Sequence, residues 1–253
     1  MFAMYPWHII KSNLIQAISK SHRCIGKEVG MDKTKLWYIN ANKIFTGLPE
    51  KDKREIESKL TEISVRKKGL IYSAGDKAGT VYILKEGRIR IMRYSVDGRE
   101  FTVDILEPGD IFGELTMAGE EERDTDAVAM EDSFICVIKR KDFEDFIGKM
   151  PNLSLSITKW IGLRLRRIEN RFNDIIFQDV HTRLITLFKD LSYKYGVQAG
   201  NGKKIAIHLS HKEIASLIGA TRETVTVELN NLKRSGDVLM DGKYFILPPR
   251  HLS

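Results

Sequence analysis

SHKEIASLIGATRETVTVELNNLKRSG, residues Ser210 to Gly236, decides the fold of this 253-residue chain. Ser210 is a good N-cap, and Glu213 three positions later completes an S-x-x-E capping box. Ile214, Leu217 and Ile218 recur at i, i+3 and i+4, which predicts one apolar helix face. Gly219 suits the left-handed position that ends such a helix, and Thr221 can cap the next. At about 100° per residue, Val225, Leu229 and Leu232 share one side of that second helix. Arg222, Glu223, Thr226 and Asn230 fall on the other. One face is built for a core and the opposite face for hydrogen bonds to something outside. Two short helices across a tight turn predict a helix-turn-helix, whose second helix enters a DNA major groove.

The flanks complete a winged helix. VHTRLITLFKDLSYKYG, from Val180, predicts an amphipathic helix, and GNGKKIAIHLS a hairpin leading into the motif. GDVLMDGKYFILP predicts a closing hairpin about Asp241-Gly242, the wing. Upstream of this unit, NLSLSITKWIGLRLRRIENRFNDIIF is the longest helical pattern. Ile161, Leu165, Ile168, Phe172 and Ile175 are spaced +4, +3, +4, +3, a heptad seam flanked by Arg164, Arg166, Arg167, Glu169 and Arg171. Such a seam packs either on its own β-domain or on a copy of itself, and a parallel homodimer is the expectation.

Before the seam the period changes to two. PEKDKREIESKL reads as a short charged helix. VRKKGLIYSAG, TVYILKEG, RIRIMRYSVDG, REFTVDILEPG, IFGEL and DSFICVIKRKDF then alternate apolar and polar residues between glycines. Asp97-Gly98 predicts a two-residue hairpin turn with positive φ at both positions, and Glu107-Pro108-Gly109 a type II turn. Many short strands at regular spacing make a small β-sandwich or barrel. The fold class is therefore α+β. A β-sandwich or barrel spans 43–150, a dimerisation helix 151–178 and a winged helix-turn-helix 179–253, behind an N-terminal extension 1–42. Met31 begins a stretch that reads as an ordinary start, so residues 1–30 are expected to lie upstream of the natural one.

Charge follows this division. The net +7 splits into +4 over residues 1–42, −1 over 43–178 and +4 over 179–253. A modest basic excess therefore falls on the unit expected to meet a polyanion. A barrel enzyme of the cupin type would need several inward histidines for its metal. The six are His8, His22, His181, His208, His211 and His251, none of them between 43 and 150. With no nucleophile elbow, P-loop or Cys/His pair in the barrel either, no enzyme and no metal site is expected. A lone Cys24 beside His22 is not read as a metal site. Two cysteines, Cys24 and Cys136, are too few for a disulfide framework and suit a reducing cytoplasm. No apolar run is long enough for a membrane helix, and MFAMYPWHIIK lacks the features of a secretion signal.

The combination resembles the cyclic-AMP receptor protein / FNR (Crp-Fnr) family of bacterial transcription regulators over roughly residues 43–250. The residues that carry it are Gly109-Asp110-Ile111-Phe112-Gly113-Glu114-Leu115, Glu122-Arg123, Phe177-Gln178-Asp179-Val180 and Arg222-Glu223-Thr224-Val225. The resemblance implies that 43–150 is a cyclic-nucleotide-binding-type β-roll (jelly roll), and that the chain is a homodimer on a pseudo-palindromic, bent DNA site, with RNA polymerase as a further partner. Arg222 and Glu223 would read bases, guanine by a bidentate arginine and cytosine N4 by a carboxylate. Ser210 and Thr224 would meet phosphates, with Thr226 on the same face. Val227 departs from the family, which usually has an arginine there, so the operator should differ at that position. A solvated Arg222-Glu223 pair on a domain that binds protein is the bland alternative.

For the effector, the resemblance points to Gly113, Glu114, Arg123, Asp124, Ile168 and Glu169. In cyclic-AMP-binding relatives Gly113 and Glu114 would hold the ribose and an Arg-Ser pair the phosphate. Here Asp124 stands in place of the serine and repels a phosphate. Ile168 and Glu169 occupy the adenine-contacting positions, and Ile168 offers no hydroxyl. Cyclic AMP is therefore disfavoured, and Arg123 is expected to pair with Glu114 or the neighbouring glutamates. The cysteine count excludes an FNR-type iron–sulfur cluster. Haem stays open only with an axial ligand from off the long helix, such as His8. Cys136 is read as a buried hydrophobe. The effector, a small molecule, is left unnamed.

Overall fold

The computed structural model describes Ile39, residues 42–200 and residues 202–252. The expectations for His8, His22, Cys24 and Met31 lie outside those residues. After a single 3-10 turn at Lys43–Phe45, the charged stretch forms α1 (Glu50–Lys59). Eight strands follow: β1 (Thr61–Val65), β2 (Leu70–Tyr72), β3 (Thr80–Glu86), β4 (Ile89–Tyr94), β5 (Glu100–Leu106), β6 (Ile111–Phe112), β7 (Asp126–Ala129) and β8 (Ser133–Lys139). They build two antiparallel sheets of order β1-β8-β3-β6 and β2-β7-β4-β5.

The period of two explains why there are two cores. Along β3, Val81 and Ile83 point to a core shared with α1 and the helices after β8. Tyr82 and Leu84, alternating with them, point between the sheets, where Ile89, Ile91, Leu106, Phe112 and Ile135 meet them. Each fully buried Ile, Leu or Phe contributes about 1.5–3 kcal/mol. Cys136 is buried in the first of these cores.

Two turns show how local chemistry sets register. Gly109 has φ 98° and Asp110 N–H bonds Glu107 C=O at 2.9 Å, the type II geometry that Pro108-Gly109 favours. The β4–β5 turn departs from the expected two-residue form. Only Gly98 has positive φ (77°), while Gly98 N–H bonds Ser95 C=O at 2.9 Å and Arg99 O accepts from Ser95 N–H. This is a three-residue turn with one left-handed glycine, which spares Asp97 the cost of positive φ. In the wing, Asp241 pairs with Tyr244, so the turn residues are Gly242-Lys243 rather than Asp241-Gly242.

α2 (Arg140–Lys149) buries Phe143 and Phe146, and α3 (Pro151–Phe177) starts with its proline at the first turn. α3 buries only Leu153 and Ile157 outright, and beyond them it meets the β-roll through the side chains of Arg164 and Arg171. Ile161 (46% exposed), Leu165 (54%), Ile168 (42%) and Phe172 (61%) form a bare apolar stripe. Ile175 departs from that stripe: it is half-buried, with its Cδ1 3.5 Å from where a Cβ on Gly219 would lie. The chain extends at Gln178, and Asp179 caps α4 (Val180–Tyr195) by accepting Thr182 N–H at 2.8 Å.

The C-terminal unit then runs β9 (Gly196–Ala199), β10 (Gly202–Ile205), α5 (His211–Ile218), α6 (Arg222–Arg234), β11 (Leu239–Asp241) and β12 (Tyr244–Leu247). Its sheet has the order β11-β12-β10-β9. Leu184, Phe188, Leu209, Ile214, Val225, Leu229, Leu232 and Phe245 share one core, which β5 joins through Ile105. Among the described residues no helix is long and apolar enough to cross a membrane.

Candidate DNA interface and sensor pocket

The capping box forms as its residue types require. Glu213 N–H donates to Ser210 Oγ at 3.2 Å, and Ser210 N–H to Glu213 Oε2 at 2.8 Å. Gly219 ends α5 at φ 64°, a conformation that costs L side chains energy. Thr221 Oγ1 accepts Thr224 N–H at 3.1 Å and so starts α6. This cap–glycine–cap sequence sets the angle between the two helices. Val225, Leu229 and Leu232 are fully buried on α6, which turns Arg222, Glu223, Thr224, Val227 and Asn230 outward together.

Thr226 is half-buried and differs from its neighbours. It donates its single hydroxyl proton to Arg222 C=O at 2.8 Å, so in its 2.9 Å contact with His211 it accepts from Nδ1–H. Thr226 therefore ties α6 to the start of α5 and keeps one lone pair for an outside donor. Ser210 likewise donates to Glu213 Oε2 at 2.7 Å while capping. Val227, 62% exposed, presents an apolar surface in the middle of the outward face of α6.

In the β-roll, Gly113, Glu114 and Arg123 come together, but not as an open anion site. Arg123 is 4% exposed. Its Nη1 donates to Gly113 C=O at 3.0 Å and to Glu120 Oε2 at 3.3 Å, and its Nη2 to Thr80 C=O at 2.5 Å. The guanidinium also lies 4.8 Å from the Tyr72 ring centre. The partner is thus Glu120, in the glutamate run, and not Glu114. A Cβ on Gly113 would fall 3.0 Å from Thr80 C=O and 3.1 Å from Arg123 Nη1, which explains the glycine there.

Glu114 instead meets Arg164 of α3 at 3.2 Å, and Arg164 also donates to Ile111 C=O at 3.2 Å. Burial raises the Glu114 pKa above its usual range, with Arg164 opposing that rise. Asp124 turns away from Arg123 to pair with Arg93 on β4. Ile168 and Glu169 are exposed on α3. Glu120 belongs to the glutamate run expected beside Arg123, and Arg164 is the residue here that spacing missed. Arg164 flanks the heptad seam, a signal that it shares a face with Arg171 seven positions on, but nothing local says which strand that face meets. No group of three or more His, Cys, Asp or Glu able to hold a metal ion occurs among the described residues.

Residues 62–149 match the cyclic nucleotide-binding domain family and residues 182–253 the Crp-like helix-turn-helix domain family. The cyclic AMP receptor protein of Thermus thermophilus is 30% identical over 168 residues, covering 66% of this chain and 74% of that protein. The global nitrogen regulator of Synechocystis is 31% identical over 171 residues, covering 67% and 76%. The chain belongs to the Crp-Fnr family of transcription regulators.

As in other Crp-Fnr regulators, a β-roll precedes a DNA-binding helix-turn-helix. The solved structure of the c-di-GMP responsive global regulator CLP of Xanthomonas campestris has the same fold, with a TM-score of 0.72 at 20% identity over 79% of this chain and 99% of that one. The signals in these names differ: cyclic AMP, nitrogen and c-di-GMP each belong to the protein named. Family membership therefore assigns the output end of this Crp-Fnr chain and leaves its signal to the chain's own pocket.

Proposed function

We propose that this Crp-Fnr regulator acts in the cytoplasm as a homodimer on a pseudo-palindromic operator, paired along Ile161, Leu165, Ile168 and Phe172. Arg222 and Glu223 read bases, Ser210 and Thr224 meet phosphates, and Val227 touches a thymine methyl or no base at all. It works by binding rather than by catalysis, with RNA polymerase as its further partner and a small effector acting through the β-roll. The observation that carries this reading is the outward face of α6, where Arg222, Glu223, Thr224 and Asn230 lie exposed over a fully buried Val225, Leu229 and Leu232.

Mobility shift on an operator selected from random sequence tests it. Affinity is expected to fall steeply with salt as counterions return to the DNA. Arg222→Ala should lose about 1–3 kcal/mol and relax specificity at one base pair per half-site. Equal binding by Arg222→Ala and wild type would overturn the assignment.

Cyclic AMP fits this pocket poorly, because every Arg123 nitrogen with a described partner is committed to a carbonyl or to Glu120. Calorimetry with cyclic AMP is expected to give no saturable heat. Tight binding would show that Arg123 leaves those partners for a phosphate.

A further inference from the structure

Sensor strand and helix-turn-helix touch within one chain, and the group joining them is none of the residues assigned so far. Arg171 leaves α3 one heptad after Arg164 and reaches three main-chain carbonyls. Nη1 donates to Val103 C=O at 2.6 Å; Nη2 donates to Thr102 C=O at 3.1 Å and to Leu217 C=O at 2.9 Å. The first two acceptors lie on β5. The third belongs to the last turn of α5, where carbonyls have no partner within the helix. Arg183 of α4 assists by donating to Ile218 C=O at 2.5 Å. Two guanidiniums thus sit at the negative end of the α5 dipole.

The rest of β5 follows α5 along its length. Thr102 Oγ1 and Ser216 Oγ, both buried, lie 2.7 Å apart, and Lys212 meets Glu100 at 3.0 Å. This contact buries a second face of α5: Ala215 and Ser216 are as covered as Ile214 and Leu217. Meanwhile Arg222, Glu223, Thr224 and Asn230 stay exposed on α6. Docking on β5 therefore does not cover the reading face. It holds the helix that carries it.

We infer that Arg171 is a positioning residue for DNA binding, whose fork sets α5, and through the Gly219 turn α6, against the sensor strand and the long helix. One nitrogen serves β5 and α5 at once, so a shift of β5 must either drag α5 along or break a charge-assisted bond. The signal then has a path through each subunit's own β5, separate from the seam. Burial lowers the Arg171 pKa from its usual value while Asp104, Asp190 and Asp174 oppose the shift, as expected of a desolvated cation among carboxylates. Lysine lacks the planar fork and cannot span the three acceptors.

The inference rests on the DNA-binding reading above, and its test separates the two. Full-length wild type and Arg171→Lys are compared by mobility shift on the selected operator and on versions with the half-site spacing changed by one base pair, over a range of salt. Arg171→Lys is expected to bind the native spacing about tenfold more weakly. It should also lose discrimination among spacings and keep the wild-type salt slope. A parallel fall at all spacings would mean general loss of stability, and a slope shallower by about one would mean a phosphate contact. Either result, or tighter binding, or no change, overturns the positioning role. Should Arg171→Lys not fold, Ser216→Ala probes the same dock: reduced spacing discrimination supports the role and unchanged discrimination sinks it. Wild type that binds no operator refutes the DNA-binding reading and this inference together; only variant data can refute the inference alone.

Discussion

Arg123→Ala is expected to destabilise the folded β-roll by about 3–5 kcal/mol, the usual cost of removing one partner from a buried ionic cluster. The side chain is almost fully buried, and its loss leaves Gly113 C=O, Thr80 C=O and the Glu120 carboxylate without their donor. It also removes the cation over Tyr72, whose hydroxyl pKa burial pushes up to about 12. Urea unfolding followed by tyrosine and tryptophan fluorescence measures the change. Stability equal to wild type would mean that Arg123 is dispensable to the fold and free for an anionic ligand, contrary to its three hydrogen bonds.

Leu165→Asp combined with Phe172→Asp is expected to turn a dimer into a monomer. Both side chains are more than half exposed on α3, so the substitutions disturb little within one subunit. In a paired seam they would place four carboxylates in an apolar interface, where an unpaired charge is costly. Sedimentation equilibrium reads the oligomeric state directly. Operator affinity should fall by about 100-fold or more in parallel, because two linked half-site contacts become one. A double variant that still sediments as a dimer would place the interface elsewhere. Ile175 is left out of the pair because it packs beside Gly219 and its loss would disturb the helix-turn-helix itself.

What the sequence determined by itself is local in physical origin. Ser210, Glu213, Gly219 and Thr221 act on hydrogen bonds within three or four residues, so the capping box, the left-handed stop and the second cap could be read before any tertiary contact was known. The buried face of α6 and the apolar heptad stripe follow equally from helix period, whereas the exposure of Ile161, Leu165, Ile168 and Phe172 within one subunit does not. Strands with strong alternation were legible too. β7, only Asp126–Ala129 with small inward residues, and β1, polar on its outer face, were not, because their place is set by pairing with distant strands. The α+β class and the outward polar face of α6 therefore came from spacing alone.

Only the tertiary structure decided which partners the charged residues take. Arg123 meets Glu120 and two carbonyls, Glu114 meets Arg164 from 50 residues away, and Asp124 turns to Arg93. An ion pair forms wherever the fold leaves opposite charges side by side, and sequence distance does not limit that choice. The same holds for Arg171, whose acceptors are main-chain carbonyls that every residue type possesses. No side-chain pattern marks a carbonyl as the one left unpaired at a helix end beside a strand. The outward face of α6 was legible in the sequence, and the arginine that joins α5 to β5 became visible only once the two were folded against each other.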